Sequence, residues 1–107
     1  MPGVTDAVLA ALSARDLEAF VACYAEDARI DDGDGVILAA GHDALRARYA
    51  PMFERFPTLR VRKLGALTVG SFVVQEEEVT GREPEPERHI AVYRLANGLI
   101  AHERLLR

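Results

Sequence analysis

Asp16-Leu17-Glu18-Ala19-Phe20-Val21-Ala22-Cys23-Tyr24-Ala25-Glu26-Asp27-Ala28 reads as an amphipathic helix that runs into a strand. Asp16 is placed to cap the helix, because its carboxylate can accept the free amides of the first turn. Leu17, Phe20, Val21 and Tyr24 follow at i, i+3, i+4 and i+7, which makes one apolar face. The spacing predicts a helix end near 25–27 and a short strand over 28–31. Upstream, 4–14 predicts a first helix with Val8, Leu9 and Leu12 on one face. Downstream, Asp32-Gly33-Asp34-Gly35 is turn chemistry, 36–40 is a second short strand, and Gly41 breaks it.

A third helix is expected over 42–56, with Leu45, Tyr49, Met52, Phe53 and Phe56 on its inner face. Pro51 lies inside that pattern and is expected to kink or divide the helix, because it removes one amide and clashes with the preceding turn. Strands follow over 59–69, 71–80, 88–95 and 99–106. The charged stretch 81–87 forms one hairpin loop, and Asn97-Gly98 is a two-residue turn signal. Helices first and strands after predict an α+β fold with an antiparallel sheet.

The chain of 107 residues is one domain, 1–107, with half its residues apolar and 28% charged. A net charge of −4 argues against nucleic acid, whose phosphates need a basic face. All thirteen cations but Lys63 are arginine, and they are scattered. No apolar run reaches the roughly 18 residues of a membrane span, so no membrane partner is expected. The first residues lack a signal-peptide pattern, and one cysteine, Cys23, excludes an internal disulfide; both fit a cytoplasmic protein. Cys23 itself reads as a small buried hydrophobe.

Three separated segments resemble the nuclear transport factor 2-like superfamily, which includes ketosteroid isomerases, limonene epoxide hydrolase and SnoaL-like polyketide cyclases. They are 16–28, Gly41-His42-Asp43-Ala44-Leu45-Arg46-Ala47-Arg48-Tyr49, and the hairpin Ala91-Val92-Tyr93-Arg94-Leu95-Ala96-Asn97-Gly98-Leu99-Ile100. The likeness covers nearly the whole chain. It implies a cone-shaped roll: a curved antiparallel sheet wrapped around three N-terminal helices, with a pocket open at one end. It also implies homodimerisation through the outer sheet face, and the apolar outer positions Ile90, Val92 and Ile100 fit that expectation.

By the same resemblance, Asp32 falls where ketosteroid isomerases hold their catalytic carboxylate. A carboxylate at an apolar pocket mouth has a raised pKa and can move a proton next to a carbonyl. The residues themselves allow another reading, in which Asp31, Asp32 and Asp34 cap their own turn. The oxyanion donors of those isomerases do not carry over, because Val8 and Ala91 stand in their places. Tyr49 matches a supporting tyrosine. Period-2 alternation puts His89, Ala91 and Tyr93 on one face, and the resemblance turns that face into the cone. It turns Gln75, Glu77 and Glu103 inward as well. Glu76 and Glu78 then face outward, opposite Arg60 or Arg62, and His102 faces outward too. Phe20, Tyr24, Tyr49, Phe53 and Phe56 read most simply as core, and on the cone that the resemblance implies the same stripe lines the pocket.

Asp32, Glu77 and Glu103 together predict an acidic pocket, which favours a polar or cationic small-molecule ligand over a steroid. Two function classes follow: an acid–base enzyme of isomerase, cyclase or hydrolase type with Asp32 as its acid/base, and a non-catalytic binding or dimerisation module. No cofactor is expected. No metal is expected either: Ile30 and Val36 break the calcium-loop pattern around Asp31–Asp34, and the histidines lack ligand spacing.

Overall fold

The computed structural model describes residues 3–107. Helices α1 (Val4–Ala14) and α2 (Leu17–Ala22) lead into strands β1 (Tyr24–Asp32) and β2 (Ile37–Ala40). Helix α3 (His42–Arg55) follows, then β3 (Arg60–Val69), β4 (Phe72–Thr80), β5 (Glu87–Ala96) and β6 (Leu99–Leu106). One six-stranded sheet has the order β2-β1-β6-β5-β4-β3. All neighbours are antiparallel except β1 and β6, which are parallel.

Arg15 ends α1 in the left-handed region at φ 53°, and its amide returns to the carbonyls of Ala11 and Leu12. Asp16 then caps α2, its carboxylate accepting from Ala19 N at 3.1 Å. This helix is one turn shorter than its apolar spacing predicts. The amide of Ile100 donates to the carbonyl of Cys23 at 2.9 Å and draws the chain into the sheet from Tyr24 onward. Tyr24 is therefore a strand residue, although its stripe with Phe20 still packs: the two ring centroids lie 5.1 Å apart.

Pro51 does not divide α3, which is continuous from His42 to Arg55. Pro51 and Ala47, whose carbonyl loses its amide partner, are both exposed, so water can take the missing bond. Leu45, Tyr49 and Phe53 are the buried face of this helix. They meet Val8, Phe20, Leu59 and the concave side of the sheet in one core. The end of β4 approaches the start of β3 so closely that a Cβ at Gly81 (φ +84°) would lie 2.2 Å from the Thr58 carbonyl oxygen. Only glycine fits there. Asn97 and Gly98, at φ 53° and 77°, make the tight β5–β6 turn.

A bulge in β6 resets its facing. The β5–β6 register steps from Leu95 opposite Ile100 to Arg94 opposite His102, so Ala101 is an extra residue. Ile100 and Glu103 consequently both point inward. This corrects the outer-face assignment of Ile100, which is fully buried. Ile90 does lie exposed on the outer face, near Leu67, Val69 and Phe72, and Val92 is half-buried. Arg62 pairs with Glu78 across β3 and β4 at 2.9 Å, while Glu76 takes Arg88 rather than Arg60.

Candidate functional site

The concave face of the sheet carries polar groups where a core would carry hydrocarbon. Gln75 and Glu77 alternate with Val73 and Val79 on β4 and are 1% and 2% exposed. The register sets Glu77 opposite His89 and Gln75 opposite Ala91. On the next pair of strands Tyr93 lies opposite Glu103. Strand β1 brings Tyr24 to the same place. Burying two carboxyl groups costs free energy unless each is hydrogen-bonded, and here each is.

Glu77 is the hub. Its Oε2 accepts from Gln75 Nε2 and from the Tyr93 hydroxyl, both at 2.7 Å. Its Oε1 lies 2.8 Å from His89 Nε2. If Nε2 carries the proton, Nδ1 of His89 is left with its lone pair. Glu103 accepts a short hydrogen bond from the Tyr24 hydroxyl. Burial pushes the Glu103 carboxyl up to about 8; the Tyr24 hydrogen bond lowers it and the nearby charge of Glu77 raises it further. At neutral pH this group is a protonated acid. Burial, with Glu103 beside them, also pushes the Tyr24, Tyr49 and Tyr93 hydroxyls up, so they stay neutral donors.

These groups surround a cavity of about 60 Å³. Tyr24, Tyr93, Glu77, Glu103 and His89 form its polar side, and Phe20 and Tyr49 close it from the helices with their ring centroids 4.4 Å apart. Leu12, Met52, Leu59, Val61, Val79 and Leu105 supply apolar wall. Exposed Arg48 and Arg107 mark the open side. Arg82 also borders the cavity, but its guanidinium is held by both oxygens of Glu87 at 2.8 and 3.0 Å.

Six of the expected site residues therefore line one cavity: Tyr24, Tyr49, Glu77, His89, Tyr93 and Glu103. Gln75 stands behind them on Glu77, and its Oε1 is the one buried side-chain polar atom among the described residues without a partner. Phe53 packs in the core, 6.2 Å from the Tyr49 ring. Asp32 is elsewhere. Its Oδ1 accepts the amides of Asp34 and Val36 at 2.8 and 2.9 Å, and it borders a separate groove with Gly33 and Leu38. The turn-capping alternative describes its Oδ1, and Asp32 is not among the residues that line the 60 Å³ cavity. Arg48 and Arg107 touch both the groove and the cavity.

The three arginines were not legible beforehand, since Arg48 neighbours Tyr49 in a helix whose apolar stripe leaves it outside. Nor was the Tyr24–Glu103 pair, whose members lie 79 positions apart. Val8 and Ala91 are fully buried and apolar.

A second carboxylate–histidine pair lies on the other side of β6. His102 Nε2 is 2.7 Å from Asp31 Oδ2, and Arg104 Nε donates to Asp31 Oδ1 at 2.8 Å. Arg29 adds a looser contact at 3.7 Å. Burial pushes the Asp31 carboxyl up, but Arg104 and His102 outweigh it and hold the group below its ordinary value. Among the described residues no three His, Cys, Asp or Glu side chains are grouped to hold a metal ion. No helix among them is long and apolar enough to cross a membrane.

No curated protein matches the chain. Solved structures do. An uncharacterised cystatin-fold protein from Novosphingobium aromaticivorans is 26% identical, covers 97% of this chain and 95% of its own, and superposes with a TM-score of 0.86. A candidate polyketide cyclase from Sinorhizobium meliloti gives 21%, 98% and 94%, and 0.84. A protein of ketosteroid isomerase-like fold from Catenulispora acidiphila, solved in complex with trimethylamine, gives 19%, 98% and 85%, and 0.79. The model of the SnoaL-like domain matches residues 5–103. With that match over nearly the whole length and the cone of strands and helices described above, the chain belongs to the SnoaL-like domain family of the nuclear transport factor 2-like superfamily.

Proposed function

We propose that this protein is a small acid–base enzyme acting on an organic molecule held inside the cone. The observation that carries this reading is the joining of two proton-handling pairs in one cavity: Glu77 with His89, and Tyr24 with Glu103. Glu77 orients His89 and leaves its second ring nitrogen to take a proton. Glu103, kept neutral at pH 7, has a proton to give, with Tyr24 beside it to stabilise a developing negative oxygen. The proposal places the acid–base role on these four residues rather than on Asp32, which does not line this cavity and whose Oδ1 accepts two amides of its own turn. No cofactor enters this scheme.

The test is proton exchange rather than a guessed turnover. Small ketones, lactones and 1,3-diketones are incubated with the protein in heavy water and followed by proton NMR. The expected result is loss of α-proton signal with wild type, loss of that activity in Glu77→Gln and His89→Gln, and full retention in Asp32→Asn. A panel on which wild type exchanges nothing would overturn the enzyme reading. A second reading, binding without chemistry, is favoured by the small volume and by the relative that holds trimethylamine. Ligand-induced stabilisation without exchange would select it.

Two further features complete the proposal. The exposed Leu67, Val69, Phe72 and Ile90 on the outer sheet support a homodimer through that face. Light scattering at micromolar concentration tests it, and a monomer mass refutes it. The free, buried Cys23 suits a reducing cytoplasm.

A further inference from the structure

We infer that the cavity takes a protonated amine, with its N–H group set between Glu103 and Glu77 and the rest of the molecule leading out past Arg48. The inference rests on the acid–base reading of this cavity and names the class of substrate that enters it.

The inner wall is rich in acceptors, and apart from the Glu103 carboxyl proton its side-chain donors are already engaged. The Tyr24 hydroxyl is spent on Glu103, and the Tyr93 hydroxyl and Gln75 Nε2 are spent on Glu77. Two carboxyl groups share the inner end of the cavity, while the cations stand at its rim: Arg82 is held by Glu87, and the exposed Arg48 and Arg107 act on the Tyr49 hydroxyl. The group missing from this interior is a cation. An N–H-bearing ammonium supplies charge for the carboxylates, and donors for oxygens that lack them. The faces of Phe20, Tyr24, Tyr49 and Tyr93 suit a cation as well. The cavity, about 60 Å³, has room for a small head of methylammonium type.

The proton count closes. Glu103 is faced by Tyr24, Tyr49, Tyr93 and Glu77, with Arg48 and Arg107 at the opening. A neutral amine that enters takes the Glu103 proton onto its nitrogen, leaving a carboxylate against an ammonium. An amine that enters already protonated displaces the Glu103 proton to solvent. No other reactant is needed. The same acid can therefore serve a substrate whose nitrogen must be protonated during reaction.

The test is calorimetric titration of the full chain with methylammonium and trimethylammonium chloride at pH 7, in two buffers of different ionisation enthalpy. Tert-butanol and sodium acetate serve as neutral and anionic comparators. Expected are binding of the ammonium probes, release of close to one proton per site, and no binding of tert-butanol or acetate. Glu103→Gln, which preserves an acceptor for Tyr24, should weaken ammonium binding at least tenfold and abolish the proton release. Should a variant lose its near-UV circular dichroism, the comparison of probes on wild type decides alone. Tighter binding of tert-butanol or acetate than of ammonium overturns the inference, as does proton release that persists in folded Glu103→Gln. Ammonium binding with no carbon-proton exchange on any compound leaves this inference standing and sinks the enzyme reading. Exchange on a ketone with no ammonium binding does the reverse.

Discussion

Two carboxylate–histidine pairs sit on opposite sides of the same sheet, at nearly equal distances: Glu77–His89 at 2.8 Å inside the cone, Asp31–His102 at 2.7 Å outside it. Contact length does not distinguish them. Their surroundings do. Asp31 has Arg104 as a second partner and Arg29 near it, and its two main partners reach water, with side chains 20% and 45% exposed. Its charge is matched on the spot, so the pair acts as a clamp between β1 and β6. Glu77 has only neutral donors besides His89, and the nearest carboxyl neighbour is another acid. Its charge is held but not matched. The same pair of residue types is a structural tie where cations surround it, and where they are withheld it carries the acid–base role proposed above.

The largest expected effect comes from Glu77→Ala. It strands the Tyr93 hydroxyl, the Gln75 amide and the His89 ring in a dry interior, at a cost of roughly 3–5 kcal/mol. Asp31→Ala should cost about 1 kcal/mol, because Arg104 and His102 can turn to water. Urea unfolding of both variants measures the difference, and equal losses would break the contrast.

Two pH effects sharpen it, with opposite signs. The folded-state pKa of Glu103 is raised from 4.5 to about 8. Its contribution to stability is full below about pH 4.5 and is lost as pH rises toward 8. Thermal unfolding of wild type should therefore show stability falling across that window, and Glu103→Gln should flatten the slope. The folded-state pKa of Asp31 lies below 3.8. Its contribution is present above that value and is lost as pH falls through the folded value, so Asp31→Asn should lose less than wild type on acidification below pH 4.

The smallest expected effect is that of Asp32→Asn. An amide oxygen still accepts the Asp34 and Val36 amides, so stability should change by no more than about 0.5 kcal/mol and ligand binding should not change. A lost ligand response in this variant would return Asp32 to the site.

Local patterning made most of the fold legible. Helix α1 has the predicted bounds, Asn97-Gly98 turns as its residues require, and alternation put Gln75, Glu77, His89 and Tyr93 on one face. The departures on β1 and β6 share a cause, which is that a distant partner overrode a local signal. Tyr24 leaves its helix because Ile100, far along the chain, offers a strand edge. Ile100 changes face because a bulge inserts one residue that no local pattern announces. Asp32 looked like a site residue from its place in a likeness, but its own neighbours, glycines and a further aspartate, describe a turn. The Glu103–Tyr24 pair needs both the bulge and the parallel pairing before it can exist, so no reading of one segment could find it.

The parallel seam between β1 and β6 has a consequence for how the protein is made. The strand synthesised last, β6, lies between β1 and β5 in the middle of the sheet. As the chain leaves the ribosome, the β1–β2 hairpin and the β3–β5 meander can each form early, but neither has the other to close on. Until residues 99–106 emerge, the two halves are separate sheets with bare edges and an open apolar face, which are the features that chaperones bind and that aggregation exploits. The site forms in the same instant, because Glu103 arrives with that strand. A nascent chain stalled before position 99 should be protease-sensitive throughout, and release of the last strand should protect both halves together.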